Sequence, residues 1–133
     1  MNNRLKKDQI IEILSNFKLD AEEYWLLSSS ALVLREIYPD AGDIDIAVTE
    51  KGLKELENNY SLRYKDNGWF VVNEIIEGVC DGSKSNLKYL PEKIGKYYVQ
   101  NIKDYYDYLL TSDRQKDKDR IPLVKEYIDK NCV

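Results

Sequence analysis

The stretch Leu26–Val48, "LLSSSALVLREIYPDAGDIDIAV", decides the fold, because it predicts a strand, a helix, a turn and a second strand in immediate succession. Its first residues belong to a short apolar run, Tyr24–Leu27, which is typical of a buried strand. Three serines then precede a helical run, and serine is a good capping residue at the start of a helix. Pro39 predicts the end of that helix, and residues 40–42 predict the turn that leads to the second strand.

The second strand is expected to carry acidic side chains on one face. Its residues alternate, so Asp43, Asp45 and Ala47 share one face and the aliphatic residues between them share the other. Two neighbouring carboxylates suit a divalent cation, and carboxylate oxygens favour magnesium or manganese over zinc. Taken alone, an Asp-x-Asp triplet is more often a solvated strand face, since the chain is rich in aspartate and has a second such triplet at Asp117–Asp119.

The remaining patterns predict a mixed α/β fold. Asn67–Gly68 suits the tight turn of a hairpin whose flanks, residues 61–65 and 69–76, are strand-like, and residues 97–102 are a further candidate strand. Helices are predicted at four more places: residues 4–17, a short helix capped by Thr49, a helix capped by Asn101, and a last helix over residues 121–129 entered through Pro122. This order favours one domain over residues 1–133, with a small mixed, partly antiparallel sheet and helices packed on it.

The composition excludes several classes of protein. The chain has 133 residues and a net charge of −4, and 43% of it is hydrophobic, so we expect a globular protein without bulk DNA binding. There is no apolar run long enough to span a bilayer, no signal-peptide pattern and no pairing pattern for the two cysteines, which favours a cytoplasmic protein with free thiols. Because histidine is absent, catalysis would use carboxylates, lysine, tyrosine, serine or cysteine.

The serines and the aspartates are expected to meet at one edge of the sheet, because the helix between them is short. A helix N-terminus binds phosphate through its free N–H groups and its dipole. A phosphate site beside two carboxylates suits a magnesium–nucleotide complex, in which the cation bridges carboxylate and phosphate oxygens. A second metal needs a third carboxylate from a neighbouring strand, for which Glu74 and Glu77 are the alternatives. We prefer Glu74, because it lies deeper in the predicted strand.

The order of small residues, helix, turn and Asp-Ile-Asp-Ile resembles the nucleotidyltransferase superfamily of the DNA polymerase beta type. The matching segments are "LLSSSALVL", residues 26–34, and "GDIDIAV", residues 42–48. The small bacterial members are the most similar, namely the antibiotic nucleotidyltransferases, the minimal nucleotidyltransferases and the abortive-infection toxins. These often carry a late Arg-x-Lys-Asp element before a final helix, and this chain has Arg114, Lys116 and Asp117 in "DRQKDKDRIPLVKEYI".

The resemblance implies an activity and a catalytic set. The activity is transfer of a nucleoside monophosphate from a nucleoside triphosphate to an acceptor hydroxyl on a small molecule, an RNA or a protein, with release of pyrophosphate. Asp43 and Asp45 would bind Mg²⁺ or Mn²⁺. Glu74 would be the third carboxylate, which binds metal and accepts the proton of the attacking hydroxyl.

The resemblance also implies a nucleotide-binding set. Ser28 and Ser29 would hold the nucleotide phosphates, and Lys116, with Arg114 beside it, would neutralise the triphosphate. A chain of this length has little room for a separate acceptor-binding domain, so a homodimer or a partner protein is expected to complete the site.

Two departures from the family pattern motivate other interpretations. Ser28 stands where the family has its first glycine, and "PDAG", residues 39–42, stands where many small members have an arginine. The first alternative is a catalytically degenerate module that binds a nucleotide or a partner protein without turnover. The second is one half of a toxin–antitoxin pair that acts on a partner protein or on RNA.

Overall fold

The computed structural model describes residues 4–80 and 90–131 of the chain. The strands in these ranges are β1 (Tyr24–Leu27), β2 (Ile44–Val48), β3 (Arg63–Tyr64), β4 (Trp69–Val71), β5 (Ile76–Cys80), β6 (Glu92–Ile94) and β7 (Tyr97–Val99). They form one sheet in the order β3-β4-β5-β2-β1-β7-β6. Within the same ranges, no helix is both long enough and apolar enough to cross a membrane.

The centre of the sheet mixes strand directions. Strands β1 and β2 are antiparallel, whereas β1 pairs with β7 and β2 pairs with β5 in parallel. The outer pairs, β3 with β4, β4 with β5, and β6 with β7, are antiparallel. The predicted mixed α/β class is therefore confirmed. Strand β1 has the predicted bounds, and β2 begins at Ile44, one residue later than the alternation predicted.

Five α helices accompany the sheet in the described part of the chain. They are α1 (Lys7–Ser15), α2 (Ser28–Leu34), α3 (Glu50–Asn59), α4 (Ile102–Thr111) and α5 (Gln115–Asn131). The two predicted side-chain caps are confirmed. The Thr49 hydroxyl accepts a hydrogen bond from the N–H of Gly52 at 3.0 Å, and Asn101 Oδ1 accepts one from the N–H of Lys103 at 3.0 Å.

The start of α2 differs from the prediction. The three serines form its first turn instead of preceding it, and the capping position falls on Leu27, which makes no side-chain cap. The hydroxyl of Ser30 instead donates to the carbonyl oxygen of Leu27 at 3.0 Å. The serine side chains therefore bond locally or face neighbouring elements, which is a common alternative for serine at a helix start.

The start of α5 also differs from the prediction. The helix begins at Gln115, so Pro122 lies inside it and is not its entry residue. Proline has no N–H, so one bond of the helical ladder is missing at this position. The turns before Pro122 are held in place because Asp117 and Arg120 are buried in contacts with other parts of the chain.

The two faces of β2 have different surroundings, as the alternation predicted. Ile44, Ile46 and Val48 are fully buried in the main core. A second apolar cluster joins α2 to the last two helices; its buried members are Leu32, Ile102, Tyr105, Leu109 and Val124. The opposite face of β2 carries Asp45 into a cleft between the sheet and α4. The free thiol of Cys80 is partly buried against the main core, and Cys132 lies outside the described residues.

The predicted hairpin is confirmed, but the strand after it is shorter than predicted. Gly68 has a φ of 89°, a conformation that glycine adopts at little cost. Residues 69–76, predicted as one strand, contain β4 and then a second reversal. Asn73 Oδ1 accepts hydrogen bonds from the N–H groups of Ile75 and Ile76, both at 2.8 Å, and this side chain closes the turn between β4 and β5.

Candidate functional site

Three carboxylates meet at the end of the two central parallel strands. Asp45 lies in β2, and the parallel pairing with β5 places Glu77 directly beside it in register. Asp43 immediately precedes β2. Each of the three side chains offers a carboxylate oxygen, and these oxygens lie within 4.8 Å of one another. We call Asp43, Asp45 and Glu77 the acidic triad.

The composition of the acidic triad fits a divalent cation. All three donors are carboxylates, which are hard ligands of the kind that Mg²⁺ and Mn²⁺ take in proteins. Asp45 and Glu77 are half-buried, and Asp43 is exposed, so the group is open to solvent on one side. Without a cation, three carboxylates at this separation repel one another.

The structure does not bring Glu74, the preferred third carboxylate, to the two aspartates. Glu74 is exposed in the turn between β4 and β5, which the side chain of Asn73 closes, and it is not a member of the acidic triad. The preference assumed that residues 69–76 form one strand, in which Glu74 would be an interior position. Because the chain reverses at this point, β5 begins only at Ile76, and Glu77 is the glutamate that pairs with Asp45.

The electrostatic environment of Asp45 is dominated by burial and by its acidic neighbours. Burial, as the largest cause, and the charges of Asp43 and Glu77 together raise the pKa of Asp45 to about 6. The positive charges of Lys116 and Lys65 act in the opposite direction. The charge of Lys116, in α5, therefore acts on Asp45 although the two residues are distant in sequence.

Lys65 is a site residue that the sequence analysis missed. It follows β3, and its ammonium group forms an ion pair with the carboxylate of Glu77. Its N–H donates to the carbonyl oxygen of Trp69 at 2.7 Å, so the hairpin turn fixes its backbone. The hairpin itself was predicted, but the pairing of β4 with β5, which brings this lysine to the acidic triad, has no local signal.

A cleft of about 310 Å³ opens beside the acidic triad. Its lining residues come from the sheet and from the last two helices: Leu27, Ser28, Asp45, Trp69, Gln100, Tyr105, Tyr108 and Arg114. Three predicted site residues therefore share one cavity, namely Ser28, Asp45 and Arg114. Ser29 is half-buried and does not belong to this lining set, so the structure separates the two serines.

Ser28 has an unusual backbone conformation, and Arg120 contacts it. Its φ is 54°, in the left-handed region that favours glycine, which is the residue that the family pattern has here. Its hydroxyl accepts a hydrogen bond from Arg120 Nη1 at 3.2 Å, and its N–H donates to Gln100 Oε1 at 3.5 Å. These contacts tie the junction of β1 and α2 to α5 and to the residue after β7.

Arg120 was also missed by the sequence analysis. Its side chain is buried, its Nη1 donates to the Tyr105 hydroxyl at 2.7 Å, and its guanidinium lies 5.2 Å from the centre of the Tyr38 ring. In sequence it is the last residue of a charge run that is typical of a solvated surface. A spacing of three residues in a helix puts Arg120 and Asp117 on the same face, and both are buried in the structure.

The late Arg-x-Lys-Asp element contributes Arg114 to the cleft, and its aspartate is an anchor. Asp117 is buried and accepts a hydrogen bond from the Ser112 hydroxyl at 2.7 Å. Arg114 Nε lies 3.8 Å from Asp117 Oδ2, and Arg114 lines the cleft. Asp117 therefore anchors the start of α5 and holds Arg114, the residue before this helix, at the cleft.

The comparisons with known proteins give no independent assignment. No protein-family model matches the chain, and no curated protein matches it. The geometry of the acidic triad, the cleft and the cationic residues of α5 is therefore the basis for a functional proposal.

Proposed function

We propose that this protein is a nucleotidyltransferase dependent on Mg²⁺ or Mn²⁺. It transfers a nucleoside monophosphate from a nucleoside triphosphate to an acceptor hydroxyl and releases pyrophosphate. One observation carries the proposal: Asp45 of the acidic triad lines the same cleft as Arg114, a cation that is distant from it in sequence, and the charge of the nearby Lys116 also acts on Asp45. Carboxylates that hold a cation beside cations that hold phosphate are what a metal–triphosphate complex requires.

The acidic triad would hold the metal. A bound divalent cation would neutralise charge on the phosphate oxygens and favour the displacement of pyrophosphate. The pairing of Asp45 with Glu77 across two parallel strands gives these ligands a rigid base, because both strands lie in the middle of the sheet. Glu77 thus takes the position that the sequence analysis gave to Glu74.

Residues around the cleft would bind the triphosphate, and a carboxylate would accept the proton of the acceptor hydroxyl. Lys116 and Arg114 supply positive charge on the α5 side, and Ser28 borders the cleft at the end of β1. In the reaction, the acceptor oxygen forms a bond to the α-phosphorus, and the bond from that phosphorus to the bridging oxygen breaks. Pyrophosphate leaves, and the proton of the acceptor hydroxyl passes to a carboxylate of the acidic triad, for which Glu77 is our candidate.

The matched pair Glu77→Gln and Glu74→Gln tests the proposal and the identity of the third carboxylate. Pyrophosphate release from each of the four nucleoside triphosphates is measured with Mg²⁺ or Mn²⁺ and with a mixture of small-molecule, RNA and protein acceptors. We expect metal-dependent release that Glu77→Gln reduces by about a hundredfold or more, since it removes a ligand and a proton acceptor. Glu74→Gln should leave the rate within about twofold of the wild type, because Glu74 is exposed on a turn.

Three results would contradict parts of this proposal. Equal losses in the two variants would mean that the acidic triad is not the reactive group. Metal-dependent nucleotide binding without pyrophosphate release would support the degenerate binding module. Absence of both metal binding and nucleotide binding would reject the nucleotidyltransferase assignment altogether.

Lys116→Ala should weaken nucleotide binding about ten- to a hundredfold. A lysine that faces a triphosphate in a partly enclosed site makes charge-assisted hydrogen bonds of about 1.5–3 kcal/mol, and about 1.4 kcal/mol corresponds to a tenfold change. The matched control is Lys118→Ala, in the same turn of α5, because both lysines are exposed but only Lys116 is among the charges that act on Asp45. Calorimetric titration with magnesium–ATP at low salt measures both. Equal small effects would show that Lys116 belongs to a screened surface run.

A further inference from the structure

We propose that the cleft beside the acidic triad binds the nucleobase of the triphosphate substrate, with Trp69 as its stacking surface. This inference rests on the proposed function and names the part of the substrate that the cleft recognises. The nucleoside triphosphate would then be held by two separate features: its phosphates by the metal and the lysine of α5, and its base by the aromatic side of the cleft.

The strand register places Trp69 on the same face of the sheet as the acidic triad. In the β4–β5 pairing, Val71 lies opposite Glu77 and Trp69 lies opposite Val79. Residues two apart in a strand share a face, so the indole is one pair of residues, about 7 Å, further along the sheet than Glu77. The ribose of a nucleotide spans a comparable distance between its α-phosphate and its base.

The backbone of Trp69 is fixed by the hairpin. Its N–H donates to Asn67 Oδ1 at 3.1 Å, and its carbonyl oxygen accepts from the N–H of Lys65 at 2.7 Å. Its side chain is half-buried and lines the cleft. A rigidly held aromatic ring binds a second ring at low entropic cost, because few torsions remain to be fixed.

The opposite side of the cleft is also suited to a planar heterocycle. Tyr108 lines it and is 46% exposed, and its ring stacks on the ring of Tyr105 at 6.1 Å with an interplanar angle of 18°. Gln100 adds an amide whose Nε2 can donate to the edge of a base, while its Oε1 accepts from the N–H of Ser28. Stacking surfaces with a few polar groups are the usual composition of a base-binding cleft.

The size and charge of the cleft argue against an acceptor as its occupant. Its volume of about 310 Å³ is at the lower end for ligand pockets, which suits one ring system and its sugar. Among the described residues that line it, Asp45 is the acid and Arg114 is the cation. A polycationic acceptor would need further carboxylates, and a macromolecular acceptor would need an open surface.

Inorganic triphosphate is the probe that separates the base from the phosphates. Calorimetric titrations with Mg²⁺ compare ATP, GTP, CTP, UTP and inorganic triphosphate on the wild type, Trp69→Phe and Trp69→Ala. We expect at least one nucleotide to bind about tenfold or more tightly than inorganic triphosphate to the wild type. Trp69→Ala should weaken nucleotide binding about ten- to a hundredfold and leave inorganic triphosphate unchanged, and Trp69→Phe should retain most of the nucleotide affinity.

Tryptophan fluorescence gives a second, independent readout. The chain has two tryptophans, and Trp25 is buried in β1, so Trp25→Phe leaves Trp69 as the sole indole. Base stacking should quench the emission of Trp69 on addition of a nucleotide, whereas inorganic triphosphate should not. The Trp25→Phe variant is checked by circular dichroism before the titration.

The possible failures separate the two proposals. If every nucleotide binds no more tightly than inorganic triphosphate, or if Trp69→Ala weakens both equally, the base site is rejected. In that case metal-dependent pyrophosphate release that Glu77→Gln abolishes would leave the nucleotidyltransferase assignment intact. If neither nucleotide nor inorganic triphosphate binds with Mg²⁺, both proposals fail together.

Discussion

Asp45→Asn should reduce metal-dependent pyrophosphate release by at least about a hundredfold. Asp45 is the central member of the acidic triad, because it pairs with Glu77 in the sheet and adjoins Asp43 in sequence. Removing its charge removes a metal ligand, and a catalytic metal contributes several kcal/mol of transition-state stabilisation, at about 1.4 kcal/mol per tenfold in rate. Initial rates at saturating Mg²⁺ measure the effect. Retention of more than a tenth of the wild-type rate would contradict it.

The same variant should be as stable as the wild type, or more stable, when metal is absent. Burial and the neighbouring carboxylates raise the pKa of Asp45 to about 6 in the folded protein, so its ionised form is disfavoured there at neutral pH. Asparagine carries no charge, so its burial beside two carboxylates involves no cost of ionisation. Because the side chain is partly exposed to solvent, we expect the gain in unfolding free energy at pH 7 to be only about 1 kcal/mol.

The stability difference should depend on pH in a defined direction. A carboxyl group whose pKa is raised on folding binds more protons in the folded state, so the wild type loses stability as the pH rises from about 4 to about 6. The Asp45→Asn variant has no carboxyl group at this position, so it does not lose this stability as the pH rises. The advantage of the variant should therefore be near zero at pH 4 and complete above pH 6, as measured by urea denaturation in the presence of a chelator. A clear fall in stability at pH 7 would show that Asp45 is a structural residue.

Arg120→Met should lower the free energy of unfolding by about 2–3 kcal/mol. The guanidinium is buried, donates hydrogen bonds to Tyr105 and Ser28, and lies over the ring of Tyr38. Hydrogen bonds from a charged donor contribute about 1.5–3 kcal/mol, and a cation over an aromatic ring adds about 0.5–2 kcal/mol. Methionine keeps much of the length of the side chain but supplies neither interaction. Its flexible packing offsets part of the loss.

A control variant in the same helix tests whether the loss of stability is specific to Arg120. Lys118→Met changes an exposed residue of α5 and should alter stability by no more than about 0.5 kcal/mol. Arg120→Lys should recover only part of the loss, because an ammonium group cannot reproduce the planar, forked geometry. Urea denaturation of the three variants gives the comparison. An effect of Arg120→Met as small as that of Lys118→Met would mean that the α5 contact with Ser28 is incidental.

Local patterns were sufficient for several features whose physical cause is local. The alternation of Asp43–Val48 predicted that Ile44, Ile46 and Val48 share the face that packs in the core, because side chains of a strand point to opposite faces in turn. The caps at Thr49 and Asn101 were predicted because a side-chain oxygen bonds to an N–H two or three residues away. The turn at Gly68 was predicted because a positive φ favours glycine. Each of these features depends on a few consecutive residues.

Contacts between distant residues were decided by the tertiary structure. The choice between Glu74 and Glu77 depended on the reversal at Asn73 and on the parallel register of β5 with β2, and a single sequence carries no signal for a strand register of this kind. Lys65 meets Glu77 only because the hairpin folds beside β5.

The first residue of α5 was also decided by contacts between distant residues. Pro122 locally favours a helix beginning, but the burial of Asp117 and Arg120 extends α5 to Gln115. The sequence by itself therefore determined the strand that carries Asp45, with Asp43 directly before it, and the face of that strand opposite its core-facing isoleucines. The tertiary structure decided the third carboxylate and the cations around it, because pairing and burial stabilise contacts that no local pattern encodes.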